Sequence, residues 1–223
     1  MLNWTTTNRA SAEHGVKILV YGRAGVGKTR LCSTAPSPVI LSAESGLLSL
    51  AHVEIPVVLI NTVQDLTEVY NWLLSSSEAK QFQTVCLDSL SDIAETVLAN
   101  AKLLVKDPRQ AYGELMDKMM MTVKAFRDLP GKHVYMAAKL EPVKDAVGVI
   151  RNMPAMPGTK LGPSLPYLFD EVFKLDIGKD TEGNPFRYLQ TAPDMQSEAK
   201  DRSGRLEMYE APDLTHIINK VIP

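Results

Sequence analysis

Gly22-Arg-Ala-Gly-Val-Gly-Lys-Thr29 is the stretch that decides the fold. Two glycines five residues apart, followed by lysine and a hydroxyl residue, make the phosphate-loop pattern. The apolar run Lys17 to Tyr21 reads as a strand before it and the residues after it read as a helix, which is the context the pattern requires. The glycines let backbone N–H groups wrap a phosphate, Lys28 offers a cation to the outer phosphates, and the Thr29 hydroxyl can hold Mg²⁺. A glycine-rich turn that merely opened a helix would leave Lys28 and Thr29 without a purpose. Gly22, Arg23, Ala24, Gly25, Val26, Gly27, Lys28, Thr29 and Arg30 are therefore the candidate nucleotide-binding residues.

Outward from this loop, short apolar runs recur at Val39 to Ser42, Val57 to Ile60, Thr84 to Leu87 and His133 to Ala137, each the length of a buried strand. Helical spacing separates them at Val63 to Leu74, Leu90 to Leu104 and Tyr112 to Leu129. Alternating strands and helices predict an α/β fold with a mainly parallel sheet flanked by helices. Residues 140–166 contain five prolines and three glycines without clean periodicity and are expected to form a long mobile loop. Asp170 to Ile177 and Pro185 to Thr191 flank a turn-rich segment and predict an antiparallel hairpin on the C-terminal side. A final short helix is expected from Asp213 to Val221. The organisation read from these signals is an N-terminal arm over 1–15, a core over 16–211 and a C-terminal helix over 212–223.

With 223 residues, 45% apolar, 22% charged and 6% aromatic, the composition is that of one globular domain and excludes disordered, collagenous and coiled-coil chains. The net charge of -2 advertises no nucleic acid, yet residues 1–30 carry five bases and one acid, and 118–160 carry eight and three. If the fold joins these stretches they make a phosphate-attracting face; if not, they are solvated lysines. Cys32 and Cys86 lie in apolar surroundings and are expected as buried thiols of a reducing compartment, while the four histidines show no ligand spacing. No apolar run approaches the roughly 20 residues needed to span a bilayer, and the first residues lack a signal-peptide layout. A cytoplasmic protein without a membrane partner is expected.

A phosphate-loop enzyme needs an acid at the end of a neighbouring strand to steer Mg²⁺, and Asp88 after Thr84-Val-Cys-Leu87 is placed for it. Asp88 or Ser89 could equally cap the helix that follows, and for Asp88 the two roles are compatible. Hydrolysis also needs a base for the attacking water. Glu44 follows the strand Val39 to Ser42, and strand C-termini in a parallel sheet face the ligand.

The order of these motifs resembles the RecA-like branch of P-loop ATPases, whose catalytic glutamate follows the strand after the P-loop helix, as in Ser42-Ala-Glu44. Leu87-Asp-Ser89 is similar to that branch's second nucleotide motif, and His133 to Lys139 to its next core strand, with Lys139 where a polar residue contacts the γ-phosphate. The resemblance implies ATP and Mg²⁺ as cofactors. It also implies that residues 140–166 stand where recombinases carry mobile loops for single-stranded DNA, with Lys144, Arg151 and Lys160 available for phosphates. Ala199-Lys-Asp-Arg202 resembles the element that ring and filament ATPases insert into a neighbour's nucleotide, so that Lys200 and Arg202 would act in trans. Over Val16 to Leu206 the chain is similar to the small phage ATP-binding proteins of the Sak type, associated with recombination and single-strand annealing. That likeness implies single-stranded DNA as a partner, a homo-oligomeric ring or filament, a single-strand-binding protein as a possible companion, and the host cytoplasm as the location.

Two other classes compete. A small-molecule kinase would need a lid with phosphate-clamping arginines, and the chain offers only Arg151 in that stretch. A nucleotide-binding interaction module without turnover would have no use for Glu44. Met119-Met-Met121 and Trp72 sit at helical spacing and read as packing, whereas Trp4, in a polar arm, suits either disorder or docking on a neighbouring subunit.

Overall fold

The computed structural model describes residues 4–6, 14–44, 46–144 and 148–222. The strands in chain order are β1 Lys17–Gly22, β2 Pro38–Ser42, β3 Val57–Leu59, β4 Thr84–Asp88, β5 His133–Lys144, β6 Ile150–Ala155, β7 Glu171–Lys179, β8 Pro185–Gln190, β9 Lys200–Asp201 and β10 Tyr209–Glu210. The helices are α1 Lys28–Cys32, α2 Val63–Ser75, α3 Leu90–Leu104, α4 Pro108–Arg127, α5 Leu161–Ser164 and α6 Leu214–Val221. The strands form one 10-stranded sheet in the order β10-β8-β7-β1-β5-β4-β2-β3, with β6 beside β5 and β9 beside β7. From β3 through β7 the neighbours run parallel, and β6, β8, β9 and β10 pair antiparallel.

All of β1 is buried, and its side chains alternate between two apolar layers, as the period of a strand dictates. Leu19 and Tyr21 join the layer built with α2, α3 and α4, through residues such as Leu66, Ile93 and Phe126. Ile18 and Val20 join the other, built with α1 and α6 through Leu31, Leu214 and Ile217. Local chemistry starts the helices where the long layer needs them. Thr62 and Asp65 make a reciprocal capping box before α2, the Ser89 side chain caps α3, and Asp107 caps α4 with Pro108 at its first position. That cap places the start of α4 before Tyr112, the residue at which its apolar spacing becomes visible. Both cysteines are buried free thiols. Among the described residues no helix is long and apolar enough to cross a membrane.

The expected loop over 140–166 is corrected. β5 continues to Lys144 and turns back as β6, with Lys139 opposite Ala155 and Val143 opposite Arg151; α5 and a 3-10 turn over Leu165–Leu168 complete the stretch. Prolines hid this hairpin from the sequence reading. Pro142 stands opposite Asn152 and Pro154 opposite Leu140, and a strand beyond the body of the sheet tolerates residues that donate no ladder bond. The hairpin tip, residues 145–147, lies outside the described residues.

Candidate active site

β1 ends at Gly22, and the phosphate loop leaves the sheet there. A Cβ at Gly22 would lie 2.7 Å from the Leu175 carbonyl oxygen and 2.9 Å from Val26 Cγ1, so the turn against β7 requires glycine. Gly27 has φ 110°, a left-handed conformation that glycine adopts without penalty. Lys28 opens α1, and its Nζ donates to the carbonyls of Gly22 at 2.9 Å and Arg23 at 3.0 Å, so the ammonium spans the loop. Burial pushes its pKa below the ordinary lysine value, while the charges of Glu44, Asp88 and Asp92 work to keep the proton on.

Register delivers the acids to the same edge. Ser42 is paired with Asp88 and Gly22 with Lys139, so Glu44, Asp88 and Lys139 all stand where β1 gives way to the loop. Asp88 is 1% exposed and its Oδ2 has no hydrogen-bond partner. Burial raises its pKa, opposed by a hydrogen bond with Thr29 and the charge of Lys28. A buried carboxylate oxygen without a partner, beside a hydroxyl at the foot of a phosphate loop, is a donor set that fits hydrated Mg²⁺.

Glu44 is half-buried, and its pKa is raised first by burial, then by its hydrogen bond with Asp92 and by the Asp88 and Asp92 charges, with Lys28 opposing. Asp92 lies in the first turn of α3. Burial works to raise its pKa, but Lys139, the Ser89 hydroxyl and Glu44 outweigh it and hold it below the ordinary range. Lys139 Nζ sits 2.6 Å from Asp92 Oδ1 and 3.6 Å from Glu95 Oε1. The two carboxyl groups therefore titrate together, with the proton affinity raised at Glu44 and lowered at Asp92. Lys139 is thus held by acids of α3 at the level of the loop.

The remaining sequence candidates stand elsewhere. Lys200 lies opposite Val172 and its Nζ donates to the Pro166 carbonyl at 2.7 Å; Arg202 Nη1 pairs with Asp170 Oδ1 at 2.7 Å. Both sit at the start of β7, whereas the loop leaves β1 beyond the level of Lys174. Lys144 and Arg151 flank the tip of the β5–β6 hairpin, and Lys160 lies past its base, lining a cavity with Tyr112 and Met116 of α4. The three cations therefore do not share one loop.

Two residues at the site were missed by the sequence reading. Asp92 carries one faint signal, its place one helical turn after Asp88. Arg187 carries none: it arrives from β8, and its Nε donates to the Val26 carbonyl at 2.8 Å.

The β4 strand that ends in Asp88 is separated from β1 by β5, and the loop, Asp88 and Glu44 meet at the C-terminal edge of the parallel strands; this is the arrangement of a RecA-like P-loop nucleotide-binding fold. No curated protein sequence matches this one. Among solved structures, a KaiC-like protein from the hyperthermophilic archaeon Pyrococcus horikoshii OT3 is similar, with 16% identity, a TM-score of 0.45, and coverage of 79% of this chain and 77% of that one. The AAA domain family matches residues 14–203, which takes in the loop, both acids and every strand from β1 to β9. The chain belongs to the AAA domain family of nucleotide-binding P-loop proteins.

Proposed function

We propose that this protein is a Mg²⁺-dependent ATPase that acts on single-stranded DNA in recombination or annealing of the phage Sak type, with ATP bound where copies of the chain meet in a ring or filament. One observation carries the reading: Lys28, Thr29, Asp88 and Glu44 converge on the edge of the sheet beyond which β5 continues, past Lys139, into the hairpin bearing Lys144 and Arg151. Mg²⁺ held by Thr29 and Asp88 would offset phosphate charge. Lys28 exchanges the Gly22 and Arg23 carbonyls for phosphate oxygens, and Glu44, once ionised, accepts the proton of the attacking water.

The hairpin is tied to the nucleotide edge by direct bonds. The Ser91 hydroxyl, in the first turn of α3, donates to the Ala155 carbonyl at 2.7 Å and accepts from the Lys139 N–H at 2.9 Å. The Tyr21 hydroxyl lies 2.5 Å from the Glu198 carbonyl and 3.1 Å from the Asn152 carbonyl, sharing its one proton between them. A shift of Lys139 toward a γ-phosphate would therefore pull on the base of the hairpin. In an oligomer, Lys200 and Arg202 would reach a neighbour only by leaving Pro166 and Asp170.

The test is ATP turnover measured alone, with single-stranded DNA and with duplex, while light scattering follows the oligomer. Turnover stimulated by single strands and lost in Lys28→Ala is expected. Equal rates under all DNA conditions would remove the DNA part of the reading, and turnover unaffected by Lys28→Ala would remove the ATPase part.

A further inference from the structure

Arg187 is an exposed side chain of the β7–β8 hairpin, 161 residues from Val26, yet its Nε bonds the Val26 carbonyl inside the phosphate loop. A Cβ on Gly27 would meet its Nε at 3.3 Å and its Cδ at 3.5 Å, so the side chain packs against the loop at Val26 and Gly27. Among the described residues no carboxylate pairs with it. Arg187 lines a cavity of about 300 Å³ together with Gly27, Arg30, Thr34, Leu175 and Pro212. The contrast with the other basic pair is direct: Lys200 and Arg202 are both satisfied by their own chain at the far end of β7.

We propose that Arg187 is a catalytic arginine supplied in cis, contacting the phosphates of the nucleotide held by its own loop. This rests on the ATPase reading above. In hydrolysis the water oxygen bonds the γ-phosphorus, the bond to the β–γ bridging oxygen breaks with its electron pair, and the water proton passes to Glu44. The charge that collects on the leaving ADP is what a guanidinium fixed at Val26 and Gly27 offsets, because a planar cation with fixed N–H directions needs no reorganisation at that moment. The Nε bond to Val26 leaves the two terminal nitrogens for phosphate oxygens.

The experiment compares wild type, Arg187→Ala, Arg187→Lys and Lys28→Ala at saturating Mg·ATP, with nucleotide affinity measured separately. Arg187→Ala is expected to lower kcat by about 10³-fold, the low end for a transition-state arginine, while ATP affinity changes by less than about 10-fold. Arg187→Lys, which keeps the charge, should fall between the two. An equimolar mixture of Arg187→Ala and Lys28→Ala chains should show only the sum of their separate rates. A mixture well above that sum would place the arginine in trans and overturn the proposal, as would Arg187→Ala turnover within about 3-fold of wild type. Wild-type turnover that survives Arg187→Ala sinks this inference alone; a wild type without Lys28-dependent turnover sinks the ATPase reading and this inference together.

Discussion

At the scale of single residues, the site is a set of charges whose proton is placed by its neighbours. Glu44 must be ionised to accept a proton, and Asp92 opposes that by its charge and its hydrogen bond. Glu44→Gln should keep ATP affinity and slow turnover by about 10² to 10⁴-fold, as expected for a positioned base; equal losses in binding and rate would mark Glu44 as structural. Asp92→Asn removes a negative charge beside Glu44, so the Glu44 pKa falls and the rise of turnover with pH should move to lower pH. An unmoved profile would show that Asp92 does not act on Glu44. Lys28, Thr29, Asp88 and Glu44 were legible in the sequence because each is fixed by short spacing to the end of a buried strand. Lys139 entered by resemblance and Asp92 left only its place one turn after Asp88, whereas Arg187 reaches Val26 through the placement of a distant hairpin, which no local window contains.

At the scale of elements, the strands and long helices were legible because burial imposes periods of 2 and about 3.6 on the apolar residues. β6 escaped because it pairs beyond the body of the sheet, where a ladder needs no apolar face, and because Pro154 in it and Pro142 in β5 read as strand breakers. Close packing of elements is testable at Gly22. Gly22→Ala would push a methyl group against the Leu175 carbonyl and Val26, so a loss of about 1–3 kcal/mol is expected from thermal melting, the cost of overpacking. A variant as stable as wild type would mean that β7 and the loop give way freely. For the hairpin, Lys144→Ala with Arg151→Ala should weaken single-strand binding alike for all sequences. Each lost phosphate contact removes about 0.7 from the slope of log affinity against log salt, so two contacts remove about 1.4. Unchanged affinity and slope would exclude the hairpin as the DNA site. Lys160, set apart beside α4, is tested separately by the same slope.

At the scale of the whole molecule, the sheet divides its labour between two ends. The end where β1, β2 and β4 finish gathers the phosphate loop and its acids. The end where β7 begins holds a second cluster of ionisable side chains: His14, Asp170, Glu171 and Arg202 line a cavity of about 380 Å³, and Asp201 of β9 stands opposite Glu171. Glu171 is 0% exposed, and burial first, then the charge of Asp201 and its hydrogen bond with Glu171, raise its pKa to about 8 against the opposing Ser203 N–H. The consequence for stability follows from proton counting. Between the ordinary value of 4.5 and about 8 the folded chain holds a proton on Glu171 that the unfolded chain has lost, so stability falls as pH rises through that window. Below it both states are protonated and the full stability is present; above it the loss is complete. Lys17, which burial lowers to about 8, contributes slope only on the alkaline side of that value, where the unfolded chain binds the extra proton. Glu171→Gln keeps the shape of the neutral acid and cannot ionise. Denaturant melts of the two proteins between pH 5 and 9 should therefore diverge steadily, with the glutamine variant gaining relative to wild type up to about pH 8 and the gap constant beyond. Parallel curves across the range would show that Glu171 ionises in the folded chain as it does in water, with its charge compensated at the start of β7.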